Sequence, residues 1–175
     1  MGYTIESFGA ACHDLLKAEP GPAGREKVRA LLSEVLLDDD FIAAHFGPDN
    51  DDPRKCIYED QDLGFCIFAH VHTGAKQSPP HDHGPQWAIY GQADGITDMN
   101  EWDLVEAPDG DKPGKVKLNR SYRMQRGDVY VYNEHDLHSP RRDGPTKLIR
   151  IEGSNLDYVS RDRFEPIEEP AAAAE

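Results

Sequence analysis

The sequence predicts a mainly β domain, a sandwich or barrel, preceded by N-terminal α-helices. Three observations predict it. Apolar residues up to Phe46 recur at helical spacing. From Lys55 onward the texture changes to about eight short β-prone runs with Gly and Pro clusters between them. Beside one of those runs lies His81-Asp82-His83, with histidines at i and i+2, which leave an extended strand from the same face.

Taken in order, Ile5, Phe8, Cys12, Leu15 and Leu16 make one helical stripe over Ile5–Glu19, with Thr4 as its cap. Glu19-Pro20-Gly21-Pro22 breaks that helix. Val28, Leu31, Leu32, Val35 and Leu36 mark a second, which continues or restarts after Asp38-Asp39-Asp40 through Phe41, Ile42 and Phe46. His13 and His45 fall within these helices and are read as surface or packing residues. Gly47 to Pro53 is an acidic, turn-rich loop, a boundary inside one domain and not a linker. The expected strands are Lys55–Glu59, Gly64–His72, Gln86–Tyr90, Thr97–Glu106, Val116–Leu118, Ser121–Gln125, Val129–Tyr132 and Lys147–Glu152. From Glu165 an acidic, then Ala-rich tail is expected to fray. The domain reading is therefore a single unit, with a helical segment at 1–50, a β-barrel at 54–157 and a tail at 165–175.

A chain of 175 residues is long enough for one well-buried domain and short for two. A formal charge of −14 argues against a nucleic-acid partner, because a phosphate backbone would be repelled. No membrane span or apolar leader is expected. Cys12, Cys56 and Cys66 are odd in number and lack metal-finger spacing, so a reducing cytoplasm is expected, with each thiol a small buried apolar group.

Two imidazoles on one face can share a metal ion if a third ligand arrives from elsewhere. The downstream candidate is His138, in the run Gly127 to His138. At these residues the chain resembles the cupins, whose first motif runs G-x5-H-x-H-x3,4-E-x6-G and whose second runs G-x5-P-x-G-x2-H-x3-N. His81 and His83 match the paired histidines, Gly91 loosely matches the closing glycine, and Gly127 and His138 stand at the family separation. Asn133 replaces the proline and His135 the glycine. No carboxylate occupies the glutamate position, where Trp87 and Ala88 fall. The match spans roughly Arg54 to Asp157 and implies a cupin double-stranded β-helix, a jelly-roll barrel. Rival ligands are His135, three residues before His138, and the second H-x-H pair, His70 and His72; His72 is also a candidate for the cavity mouth.

Three neutral imidazoles suit a divalent transition metal. With no carboxylate among them the ion keeps nearly its full charge and favours an anionic ligand in its open positions. Within the cupins the order of Arg54-Lys55-Cys56-Ile57, Phe65 to Phe68 and His81-Asp82-His83 resembles the cysteine-dioxygenase-like three-histidine branch. That resemblance implies iron, with manganese, nickel, cobalt or zinc fitting the same ligands. It also implies dioxygen and an arginine, here Arg54, on the substrate carboxylate. The branch's Ser-x-His-x-Tyr run falls on Leu148-Ile149-Arg150-Ile151-Glu152, and its crosslinking cysteine on Ala88, so both are absent. Arg150 is then a candidate anion clamp and Glu152 a candidate general base; a pair that braces the barrel is the alternative. Gln86, in place of the missing glutamate, and Tyr130, as a cavity tyrosine, are candidates for the substrate. Trp87, Tyr90 and Tyr132 read as core, and Arg120, Arg123, Arg126, Arg141 and Arg142 as exposed charges.

The expected function is a metal-dependent cupin enzyme, a non-haem iron dioxygenase-like oxidoreductase acting on a small anionic thiol or carboxylic acid. The alternatives are a non-oxidative lyase, isomerase or hydrolase, and a metal-bearing binding protein without turnover. A homodimer is compatible with the family, and no patch identifies its interface.

Overall fold

The computed structural model describes residues 2–48, 50 and 52–167. Three helices lead the chain: α1 (Ile5–Ala18), α2 (Pro22–Val35) and α3 (Asp39–Phe46). Thr4 caps α1 in a capping box with Ser7, whose backbone N–H donates to the Thr4 hydroxyl at 3.2 Å. Pro22 opens α2 at a position where its missing N–H breaks no helical bond. The Asp38 carboxylate accepts from the N–H groups of Asp40 and Phe41, so the third stretch restarts and does not prolong α2.

Ten strands follow among the described residues: β1 (Lys55–Glu59), β2 (Cys66–His72), β3 (Lys76–Gln77), β4 (Ala88–Asp94), β5 (Thr97–Glu106), β6 (Gly114–Met124), β7 (Val129–Tyr132), β8 (Leu137–Arg142), β9 (Thr146–Glu152) and β10 (Phe164–Pro166). They form two five-stranded sheets, in the orders β1-β2-β9-β4-β7 and β10-β6-β5-β8-β3. The antiparallel pairs are nested: β5 with β6, β4 with β7, β3 with β8 and β2 with β9. A chain paired in this way is one long hairpin wound up on itself. That winding is the double-stranded β-helix, as the motifs predicted.

Three strands were missed. β3 and β10 are two and three residues long and too short to signal themselves. β8 contains Pro140, which reads as a breaker. The Pro140 carbonyl still accepts from the Ser78 N–H at 3.0 Å, just past the end of the edge strand β3, where the absent donor breaks little pairing. The expected break between Val116–Leu118 and Ser121–Gln125 is a bulge inside β6, since the register passes from Glu101↔Arg120 to Trp102↔Leu118. Glu165 and Pro166, placed in a frayed tail, pair in parallel with β6; the rest of that tail, 168–175, lies outside the described residues.

The alternation along the first sheet sorts the molecule into a core and a lumen. Ile67, Ala69, Ile89, Val129, Ile149 and Ile151 face the helices and join Phe8, Val28, Leu32, Leu36 and Phe41 in one buried cluster. Each such side chain taken out of water contributes about 1.5–3 kcal/mol. Gly91 lets α2 sit close, because a Cβ would stand 2.7 Å from the Leu36 side chain and 2.8 Å from that of Leu32, and both buried leucines would have to shift. The other parity points into the barrel and carries Phe68, His70, Tyr90, Leu148, Arg150 and Glu152. The chemistry therefore lies on the face that the helices leave free.

Candidate metal centre

His81 sits just before β4 and meets His138 of β8 in an isolated antiparallel bridge. Their backbones exchange two hydrogen bonds, His81 N–H to His138 O at 3.0 Å and His138 N–H to His81 O at 2.9 Å. Directly opposed residues of such a pair send their side chains to one face, and the two rings stand with centroids 4.5 Å apart. His83 completes the group: the ligand nitrogens of His81, His83 and His138 all lie within 4.8 Å of one another. No other group of three or more potential ligands is found among the described residues.

The geometry presets the rings. Nδ1–H of His81 donates to the Pro79 carbonyl at 2.9 Å, and Nδ1–H of His138 to the Asp136 carbonyl at 3.0 Å. Both therefore present Nε2 as the free base. Tyr132 stacks on His138 at 4.0 Å, and its hydroxyl meets that of Tyr122 at 2.6 Å. Arg25 of α2 reaches 2.8 Å to Asn133 and 2.7 Å to Glu134, which ties the helical layer to the turn before His138. Burial pushes the pKa of all three histidines down, and the His81 and His138 rings lower those of His138 and His83 further. Three converging neutral bases with no carboxylate among them repel one another unless an electrophile stands between. A divalent ion fits that need, and these ligands suit a transition metal.

Behind the histidines lies a hydrogen-bonded chain. The Tyr90 hydroxyl stands 3.1 Å from Nε2 of His83 and 3.4 Å from Nε2 of His138. It also accepts from Nη1 of Arg150 at 3.4 Å. Arg150 donates to Oε1 of Glu152 through Nε at 2.6 Å and through Nη2. Oε2 of Glu152 accepts from Nη2 of Arg54 and from the Leu156 N–H, both at 2.9 Å. Arg54 continues to Asn155 at 3.0 Å and Asp157 at 2.5 Å, with its guanidinium 3.7 Å over the Phe68 ring.

A cavity of about 260 Å³ opens on this chain, lined by His81, Tyr90, Arg54, Arg150, Arg142 and His70 among others. Asp157 is its only lining carboxylate among the described residues, and it is paired to Arg54. In a protein of formal charge −14 the cavity is a local concentration of cations, and such a cleft gathers anions.

Several predicted residues are placed differently from expectation. Glu152 is fully buried and accepts four bonds, an arrangement that matches the alternative of a pair bracing the barrel. Tyr130 stacks on Tyr122 at 4.2 Å, while Tyr90, its partner in register and read as core, reaches the histidines. Gln86 turns to Gly153, where its Oε1 would stand 2.7 Å from an added Cβ, and it does not line the cavity. His135 holds φ at 64°, where the family has glycine, and its Nδ1 faces Asp82 at 3.2 Å. His70 and His72 line the cavity without joining the three-histidine group. The thiols of Cys12 and Cys66 are buried and that of Cys56 is exposed, against the expectation that all three were packed. Tyr90 and Arg150 are neighbours only across the β4–β9 register, a relationship without a sequence signal.

No family model matches the chain, and no curated protein is similar to it by sequence. Among solved structures it resembles the cupin domain of Schizosaccharomyces pombe Cnp3, with a TM-score of 0.43 and 10% identity over 58% of this chain and 60% of that one. It also resembles a cupin-2 domain protein of Shewanella frigidimarina, at 0.42 and 15% over 65% and 88%. KdgF from Halomonas sp. gives 0.42 and 15% over 59% and 82%. The match thus spans less than two thirds of the Cnp3 domain. The fold rests on the nested strand pairing, which defines a cupin-type barrel with a three-histidine group. No helix of the described residues is long and apolar enough to cross a membrane.

Proposed function

We propose that this chain is a metal-dependent cupin enzyme in which His81, His83 and His138 hold one ion, iron by preference, and a small anionic thiol or carboxylic acid reacts with dioxygen beside it. The observation that carries this reading is the convergence of three neutral imidazoles, one of which, His81, lines a cation-lined cavity. An ion held by neutral ligands alone keeps its double charge, supplying Lewis acidity and, as iron, one-electron chemistry.

The protein's own groups bind and orient. Arg150 and Arg54 give the wall its positive potential, and Glu152 fixes both. Glu152 thereby leaves Arg150 aimed at Tyr90. The Tyr90 hydroxyl is positioned to give a hydrogen bond to an anion next to the histidines, and to hold or pass a proton at its oxygen. Tyr132 keeps the His138 ring in place by stacking.

A second reading, non-oxidative proton transfer by a lyase, isomerase or hydrolase, is favoured by that same hydroxyl, which could carry a proton in the absence of dioxygen. The test is an oxygen electrode with iron-loaded protein and a panel of small thiols and carboxylic acids. Substrate-dependent uptake that is absent in His138→Ala supports the first reading. Product formed under strict anaerobiosis moves the assignment to the second. Tight binding without product under either condition leaves a binding protein and contradicts both.

A further inference from the structure

We infer that the end of the cavity away from the histidines is a second anion subsite, built by Arg142 and His70. The ligand is then a small acid with an anionic group at each end. This rests on the metal reading above, which supplies the first anion position.

Arg142 carries the argument. It is 5% exposed, its Nε is buried without a partner, and no carboxylate pairs with it among the described residues. The arginines grouped with it by sequence behave otherwise: Arg120 pairs with Glu101, Arg123 with Asp98, Arg126 with Asp39 and Arg141 with Asp143. Those four are surface charges with counter-ions. Arg142 is a charge almost wholly withdrawn from the surface, with none and with its Nε sealed from water, and a guanidinium keeps its proton. Buried charges are paired as a rule, so the missing partner has to come from outside the chain.

His70 adds an independent observation. It is 6% exposed, lines the same cavity, and its Nε2 is buried with no partner. Burial holds it neutral, so one ring nitrogen can donate to an anion. Lys76 pairs with Arg142 in register and also lines the cavity.

The strand geometry sets the separation. His138, Pro140 and Arg142 share one face of β8, so the arginine follows the histidine by four residues, about 13 Å along the backbone. Pro140 lines the cavity between them. The inward reach of the long arginine side chain shortens that gap to the span of a short carbon chain with a carboxylate at either end. A monoacid bound at the histidines would leave Arg142 without a counter-ion; a diacid would satisfy both.

The experiment is isothermal titration of iron(II)-loaded protein under nitrogen with malonate, succinate, glutarate and adipate. Each is set against the monocarboxylate of the same chain length, with iron content measured on every sample. The expected result is one diacid binding roughly tenfold or more tighter than its monoacid, a gap that Arg142→Gln removes while iron content and monoacid affinity stay unchanged. No gap in the wild-type protein, or a gap that survives Arg142→Gln, overturns the subsite. Should Arg142→Gln not fold, Arg142→Lys is read in its place. The shorter point charge is expected to shift the preferred chain length, and an unchanged preference overturns the proposal. A protein that takes up no iron contradicts the metal reading alone. The subsite is then tested by whether Arg142→Gln abolishes the residual binding of acetate; binding that persists overturns it.

Discussion

Arg54 and Glu152 stand 98 positions apart in the chain and meet inside the barrel, with Nη2 of the arginine donating to Oε2 at 2.9 Å. Arg150 takes the other carboxylate oxygen, so one fully buried acid holds two guanidiniums. Of these, Arg150 touches the Tyr90 hydroxyl, which touches the histidines. The brace is thus the route by which β1 and β9 set the position of the cavity wall relative to the candidate metal site.

Removing the charge of this brace is costly. Glu152→Gln keeps the shape but takes the fully buried carboxylate from two half-buried guanidiniums, of which Arg54 keeps Asp157 and Arg150 keeps none, and breaking such a set costs about 3–5 kcal/mol. Urea unfolding is expected to show a loss of that size. A loss below about 1 kcal/mol, the size expected of an exposed pair, would mean that the carboxylate is not the clamp described.

Tyr90→Phe separates chemistry from packing. The ring and its place in the core remain, so iron content and melting temperature are expected to stay near wild type, while turnover falls by roughly 100-fold. Unchanged turnover would remove the hydroxyl from the mechanism.

Arg25→Ala tests the link between the helices and the histidine turn. Arg25 is buried and bonded to Asn133 and Glu134, and its loss leaves the turn before His138 untethered. Stability is expected to fall by about 1–3 kcal/mol, with weaker metal retention during dialysis against a chelator. Retention equal to wild type would show that the turn holds itself.

The pH dependence of stability has a definite sign. Burial lowers the folded-state pKa of His70, and that of His72 to about 4, so both stay neutral in the folded chain while the unfolded chain protonates them near 6.5. The unfolded state then binds more protons, and stability is lost as pH falls below about 6.5, with the His72 share levelling off near 4. For the buried His70 the slope is about 1.4 kcal/mol per pH unit. Thermal melts of the metal-free protein between pH 7 and 4.5 are expected to show the decline, and His70→Gln to make it shallower. An identical slope in that variant would contradict the assignment.

How much was legible follows from where each signal resides. Strands such as Val129–Tyr132 and Thr97–Glu106 were read at their observed bounds, because the turn residues that bracket them are a local signal. Thr4 and its helix were legible for the same reason. His81, His83 and His138 could be grouped from the motif spacing, although the i and i+2 pair does not lie on a strand as expected: His81 is held in a lone bridge to His138, and Asp82 to Trp87 lie outside the strands. The contact of Tyr90 with the histidines, the choice between brace and base for Glu152, and the burial of Arg142 had no local signal, because each is set by neighbours from other strands. Tyr90 reads as an aromatic in an apolar run until Arg150 is found opposite it. Arg142 reads as one more surface cation beside Arg141 until the alternation of β8 turns it inward. Parity was available for Arg142, but Pro140 hid the strand that defines it.

The proposed chemistry requires that the three histidines share one ion. Elemental analysis of the purified protein, beside His138→Ala, measures this directly. The prediction is about one equivalent of a transition metal per chain, iron by preference, lost in the variant while its far-ultraviolet circular dichroism spectrum is retained. No metal in the wild-type protein after anaerobic reconstitution with iron(II), or an equal amount in folded His138→Ala, would contradict it.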